Sequence, residues 1–140
     1  MEIEKGHREV SRTKNLDIDY IMARIKTLLE DEKIFRDEDL SVNSMARELG
    51  IEPYQLSIVI NDNFNKNFKN LINEYRIMEA KKILLADMKR TITSVAYAVG
   101  FNSTTVFYEW FRRHTSVSPK KFRDINRNTT RITIHTTAGD

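Results

Sequence analysis

The 140-residue sequence contains no cysteine. That excludes disulfides, thiolate nucleophiles and cysteine metal ligands, and it fits a reducing compartment such as the cytoplasm. Only two prolines and four glycines are present, so few positions can end a helix or close a tight turn. No apolar run approaches the roughly 20 residues of a membrane span. The N-terminal stretch "MEIEKGHREVSRTK" is charged throughout and lacks the apolar core of a secretory signal. The three histidines (His7, His114, His135) are dispersed, with no metal-ligand spacing. Neither a G-x-S-x-G elbow nor a glycine-rich phosphate loop occurs. Together these absences point away from an enzyme and imply no cofactor and no metal.

Acidic charge is scarce in the C-terminal part of the chain. Residues 1–80 hold 12 Lys and Arg against 16 Asp and Glu, and residues 81–140 hold 11 against 4. The acids concentrate in "EDEKIFRDED", Glu30 to Asp39. A basic C-terminal half indicates a polyanionic partner, nucleic acid first.

What is present is helical periodicity. Ile18, Ile21, Met22, Ile25, Leu28 and Leu29 follow the stripe of an amphipathic helix, predicted over about Asp17–Lys33, with the acidic stretch after it as a loop. Ser41 is placed to cap "VNSMAREL", which stops at Gly50. Pro53 opens the next helix, where its missing N–H does no harm. Asparagines crowd "NDNFNKN", and Asn65 is suited to a left-handed turn. A long helix follows over about 67–88, with apolar residues including Met78 and Leu85 on several faces, so it is expected to pack on more than one side. Thr91 caps "ITSVAYAV", Gly100 stops it, and "STTVFYEWFRRH" begins. Ser118 and Pro119 open a last short helix. Residues 1–15 read as a linker or tail. Residues 127–140 read as a disordered tail, with a short edge strand as the alternative. The fold class is all-α, with about seven helices.

One pattern occurs twice. At an offset of fifty, Ser41, Val42, Ser44, Ala46, Gly50 and Ile51 match Thr91, Ile92, Ser94, Ala96, Gly100 and Phe101. After the turn the offset is fifty-one, and Leu56 and Ile60 match Phe107 and Phe111. In each copy glycine supplies the left-handed residue that ends a helix abruptly, and the alanine four before it lets a second helix approach closely. Helix, glycine turn and helix make a helix-turn-helix, and two copies in matched register make a specific signal. The first copy spans about 41–64 and the second about 91–115, joined by the long helix. Twenty residues of helix span roughly 30 Å, close to the spacing of successive DNA turns.

The second helix of each copy has an outward set. In the second copy Val106, Phe107, Trp110 and Phe111 face inward, and the aromatics, with Phe101 and Phe122, read as core rather than a stacking platform. Ser103 opens that helix, and Thr104, Thr105, Tyr108, Glu109 and Arg112 form the polar stripe able to read base edges. Arg112, Arg113, Lys120, Lys121 and Arg123 form a cluster for phosphate contact. In the first copy the outward set is Tyr54, Gln55, Ser57, Ile58 and Asn61. Gln55 and Asn61 have the chemistry for bidentate adenine pairing, and Ile58 for a thymine methyl.

From about Ile21 to Arg123 the sequence resembles the C-terminal DNA-binding domain of AraC/XylS-family transcription regulators. The second copy, "TITSVAYAVGFNSTTVFYEWFRRHTSVSPKKFR", carries most of that resemblance, and "NEYRIMEAKKIL" is similar to the family's linker helix. The resemblance implies a seven-helix domain with two helix-turn-helix subdomains that binds double-stranded DNA. By similarity, Tyr54, Ser57 and Ile58 in the first copy, and Thr104, Thr105, Tyr108 and Glu109 in the second, are base-reading positions. It further implies a sensing or dimerising domain elsewhere in the native protein. The isolated domain is expected to be monomeric, with RNA polymerase a further candidate partner. The chain departs from the family where Ile58 stands in place of a common arginine, at Glu109, and where Asn65 and Ser116 replace the usual glycines. An alternative is a helical interaction module whose first copy contacts a protein while only the second binds DNA.

Overall fold

A computed structural model describes residues 16–127. The expectations for residues 1–15 and 128–140 lie outside the described residues, while Arg127 itself is helical. Among the described residues seven α-helices run in order: α1 (Ile18–Lys26), α2 (Val42–Leu49), α3 (Pro53–Phe64), α4 (Phe68–Ala86), α5 (Ile92–Ala98), α6 (Thr104–Thr115) and α7 (residues 119–127). No strand occurs among the described residues. The all-α expectation holds.

The chain divides into two compact units. Among the described residues, the first comprises those up to Ile34 together with Asp39–Leu71, and the second Phe35–Glu38 together with those from Ile72 onward. The division falls inside α4 rather than between elements.

The first unit is built on α1, capped by the Asp17 carboxylate, which accepts the Tyr20 N–H at 3.1 Å. The α-helix stops at Lys26, earlier than the expected Lys33, and continues as a π-helical turn over Thr27–Asp31. Glu32 N–H reaches back to the Thr27 carbonyl at 3.0 Å, and Leu28 and Leu29 are both buried in that turn. The Ser41 hydroxyl oxygen caps α2 by accepting the Ser44 N–H at 3.1 Å. Met45, Ala46, Leu56 and Ile60 are fully buried, so the repeat's apolar positions are core positions here.

The second unit has its own core of Ile77, Ala80, Leu84, Val95, Ala96, Val99, Phe101, Phe107, Trp110 and Phe111. Its aromatic rings meet edge-on or tilted. Phe101 lies 5.4 Å from Phe107, Phe107 5.6 Å from Phe111, and Phe111 5.4 Å from Phe122. Such geometries set the negative ring face against a positive edge. Met78 and Leu85 are corrections to the sequence reading. They are 54% and 39% exposed, because successive apolar residues of α4 point around the helix, and Ile77, Ala80 and Leu84, with Ile83 partly buried beside them, turn toward this core.

Four residues from the acidic stretch belong to this second unit, where the sequence indicated only a loop. Phe35 is buried, with its ring 5.9 Å from Tyr75. Arg36 forms a two-pronged ion pair with Glu79, its Nε donating at 2.8 Å and its Nη2 to the other carboxylate oxygen. The hydrogen bonds and charge of Glu79 raise the Arg36 pKa. Arg76 donates from Nε to the Phe35 carbonyl (2.7 Å), from Nη2 to the Asp37 carbonyl (3.0 Å) and from Nη1 to Asn73 Oδ1 (3.1 Å). Burial lowers the Arg76 pKa, and the Asp37 charge opposes that shift.

Candidate nucleic-acid interface

Both helix turns are made by the same hydrogen bonds. Gly50 has φ +69° and Gly100 φ +113°. Ile51 N–H donates to the Ala46 carbonyl at 3.0 Å, and Phe101 N–H to the Ala96 carbonyl at 3.1 Å. These are six-to-one bonds that close a helix end through a left-handed residue. The spaces around the two glycines differ. A β-carbon on Gly50 would meet nothing within 4 Å. One on Gly100 would collide with the Phe35 carbonyl oxygen and lie 2.7 Å from Arg76 Nε.

In the second unit the turn delivers α6. Ser103 is its N-cap, with Oγ accepting the Val106 N–H at 3.3 Å. A base contact from Ser103 would therefore share a hydroxyl already used to hold the helix end. Phe107 and Phe111 are fully buried and Trp110 is 7% exposed. On the other face Thr105, Glu109, Arg112 and Arg113 are exposed, and Thr104 and Tyr108 are half-buried. The structure thus brings the expected polar stripe together on one helix. Arg113 is stacked, its guanidinium carbon 4.6 Å from the Trp110 ring centroid. That cation–π contact limits its rotamers without neutralising its charge. The C-terminal end of α6 is held by His114, whose Nδ1 lies 3.0 Å from the Trp110 carbonyl oxygen and whose Nε2 lies 3.5 Å from the Glu74 carboxylate. Ser116 ends the helix at φ +68°, doing without glycine.

Lys120 and Lys121 are exposed at the start of α7, where Lys121 N–H donates to Ser118 Oγ at 3.1 Å. Arg123 is a correction. It is 8% exposed, and its guanidinium donates to three main-chain carbonyls: Leu84 (3.0 Å), Asp87 (2.9 Å) and Arg90 (2.7 Å). Those carbonyls lie at and just beyond the C-terminal end of α4, where acceptors lack helical partners. Arg123 satisfies them from inside the unit and does not belong to the phosphate-contact set.

In the first unit α3 presents a different surface. Tyr54 is 56% exposed. Asn61 and Asp62 are exposed, while Ser57 and Ile58 are half-buried. Ile58 is therefore less available than its place in the outward set implied. Gln55 is a correction of role. Its Oε1 accepts the Glu52 N–H at 2.9 Å, the side-chain half of a capping box. Bidentate adenine pairing needs that same oxygen. The spacing of Glu52 and Gln55 around Pro53 was the available signal for the cap. Replacing Gln55 with alanine is expected to cost about 1 kcal/mol of stability, measured by urea unfolding. Asn65 ends α3 at φ +56°, as its composition indicated.

The comparisons with known proteins agree on one family. A family model described as a helix-turn-helix domain matches residues 45–125. A regulator of the HTH type from Pseudoalteromonas carrageenovora is 29% identical over 122 residues, covering 87% of this chain and 70% of the relative. The Bacillus subtilis HTH-type regulator YobQ is 29% identical over 87 residues, 62% of this chain. The match spans only 36% of YobQ. Among solved structures, the C-terminal domain of the Geobacillus stearothermophilus response regulator AraT superposes with a TM-score of 0.69 at 28% identity, covering 75% of this chain and 84% of that one. An AraC-type regulator from Chromobacterium violaceum shares the fold at a TM-score of 0.60 and 22% identity, covering 74% of this chain and 94% of that one. Among the described residues no helix is long and apolar enough to cross a membrane. These matches, and the paired glycine turns that present α3 and α6, make the chain a DNA-binding member of the AraC/XylS-type helix-turn-helix family of transcription regulators.

Proposed function

We propose that this domain binds double-stranded DNA in a sequence-dependent manner, with α6 as the main reader and α3 as the weaker one. One observation carries the reading. The outer face of α6 gathers hydroxyls, a carboxylate and two arginines over an inner face of buried aromatics, so the reading groups stand on a rigid support. Residues 101–127 hold six Lys and Arg against two acids, with only Arg123 of the six internal, whereas residues 53–67 hold one of each sign. Arg112, Arg113, Lys120 and Lys121 supply the salt-dependent phosphate affinity. Thr104, Thr105, Tyr108 and Glu109 then discriminate bases in a major groove, and Tyr54, Ser57 and Ile58 read a second, adjacent segment. Because α3 and α6 differ in sequence, the site is non-palindromic and one chain suffices to read it. RNA polymerase contact and a sensing domain elsewhere in the native regulator complete this reading.

The test is a selection from a random DNA pool, followed by anisotropy on the selected site. Tyr108→Ala and Arg112→Ala are each expected to lower affinity about tenfold or more, from the 1–3 kcal/mol of a good base contact. Arg112→Ala should also reduce the slope of log K against log salt by about 1 if it neutralises a phosphate. Ser57→Ala and Ile58→Ala should change affinity less. The reverse ranking, or binding with no sequence preference at low salt, would sink the reading.

A further inference from the structure

We infer that Arg76 and the four-residue strap Phe35–Glu38 are positioning elements for α6, setting how well that helix reads DNA without belonging to the reading stripe. The inference rests on the reading of α6 as the DNA-binding helix.

All the contacts lie within the second unit. The turn that aims α6 has Gly100 against the Phe35 carbonyl oxygen, with no room for a side chain. Arg76 holds that carbonyl in place at 2.7 Å and the Asp37 carbonyl at 3.0 Å. The same guanidinium lies 5.6 Å from the centroid of Phe101, the residue directly after the turn. Phe101 in turn packs edge-on against Phe107 of α6. One planar cation therefore touches the strap, the turn and the first aromatic of the recognition helix's support. A second anchor stands on the same helix as Arg76, where Glu79 binds Arg36 with both carboxylate oxygens. Glu79 is itself only 8% exposed, so the strap cannot leave without uncovering a buried carboxylate.

A strap fixed at two points leaves the turn little freedom. Loosening it would not unfold α6, whose caps and aromatic face are its own. It would widen the range of directions in which the outer stripe points. Base reading depends on such placement to within about 0.5 Å, whereas phosphate attraction is far more tolerant. The strap should therefore govern discrimination more than total affinity.

The experiment uses the full chain and three variants, Arg36→Gln, Glu79→Gln and Arg76→Lys. Arg36→Gln removes a positive charge, and Glu79→Gln removes a negative one. If charge alone mattered, the first would weaken DNA binding and the second would strengthen it. Positioning predicts that both lower the ratio of specific to non-specific affinity, by about fivefold, as does Arg76→Lys, which keeps the charge but loses the fork. Amide NMR shifts of Thr104–Arg113, recorded without DNA, should move in all three folded variants. Opposite shifts in affinity for the two glutamine variants, or unmoved α6 amides with an unchanged ratio, would overturn the inference. Should Arg76→Lys fail to fold, the two glutamine variants decide the question by themselves. Failure of the DNA reading is separately visible, since the wild-type chain would then show no specific ratio to lower, while the amide shifts would still report on the strap.

Discussion

Gly100→Ala is expected to destabilise the second unit by about 3 kcal/mol or more, combining overpacking with a left-handed backbone that a β-carbon resists. Gly50→Ala should cost only about 1 kcal/mol, the backbone cost alone. The two glycines have the same place in the repeat, and their own turns carry matching hydrogen bonds. The difference lies in the surroundings. Space is open around Gly50, and the Phe35 carbonyl and Arg76 close over Gly100. Neither neighbour can retreat cheaply, since one is main chain and the other is held by three hydrogen bonds. Thermal melts followed by circular dichroism should show a fall of roughly 15 °C for Gly100→Ala and roughly 5 °C for Gly50→Ala, taking about 5 °C per kcal/mol for a domain of this size. Equal shifts in the two variants would mean that the contact at Gly100 does not constrain the turn.

The second large effect belongs to Arg123. Arg123→Met preserves much of the side chain's bulk but removes every donor. The carbonyls of Leu84, Asp87 and Arg90 then lose the guanidinium that joins them. A loss of about 2–4 kcal/mol is expected from several unsatisfied acceptors and a removed cation at a helix C-terminus. Arg123→Lys should recover only a small part, since a single ammonium cannot match three acceptors arranged around a planar fork. In DNA binding, the slope of log K against log salt should stay that of the wild type wherever the variant is folded. A shallower slope with intact stability would return Arg123 to the phosphate contacts.

Arg123 also shows where sequence reading stops. The caps, turns and helix order were legible because they depend on neighbours three or four positions away. Ser41, Thr91 and Ser118 accept the amides the spacing assigned to them. The aromatic interior of the second unit was legible too, from a strict helical period. What was hidden involved residues about forty positions apart. An arginine among lysines has the same local signature whether it points to solvent or to the end of α4. The pair Phe35 and Arg36 was lost within a run of acids whose composition indicates a loop. Its one visible clue was an aromatic residue with no periodic partner nearby. Among the candidate site residues, the exposed stripe on α6 was read correctly as a face. The capping roles of Gln55 and Ser103 were missed because a polar side chain near a helix start suits both a cap and a base contact. At Asn65 and Ser116, where the family usually has glycine, the backbone keeps the left-handed geometry, at the steric cost that a β-carbon brings there.

The strap gives the chain an order of assembly. Phe35 lies 41 residues before Arg76, and Arg36 lies 43 residues before Glu79. During synthesis these residues leave the ribosome long before their partners do, and the remainder of the first unit, Asp39–Leu71, is made in between. The first unit can thus close while four residues from its interior loop are still waiting. The second unit cannot be excised as a continuous stretch, nor copied by duplicating one, because part of its floor is encoded ahead of its neighbour. Two modules that look like tandem repeats in the sequence are interleaved in the order of the chain.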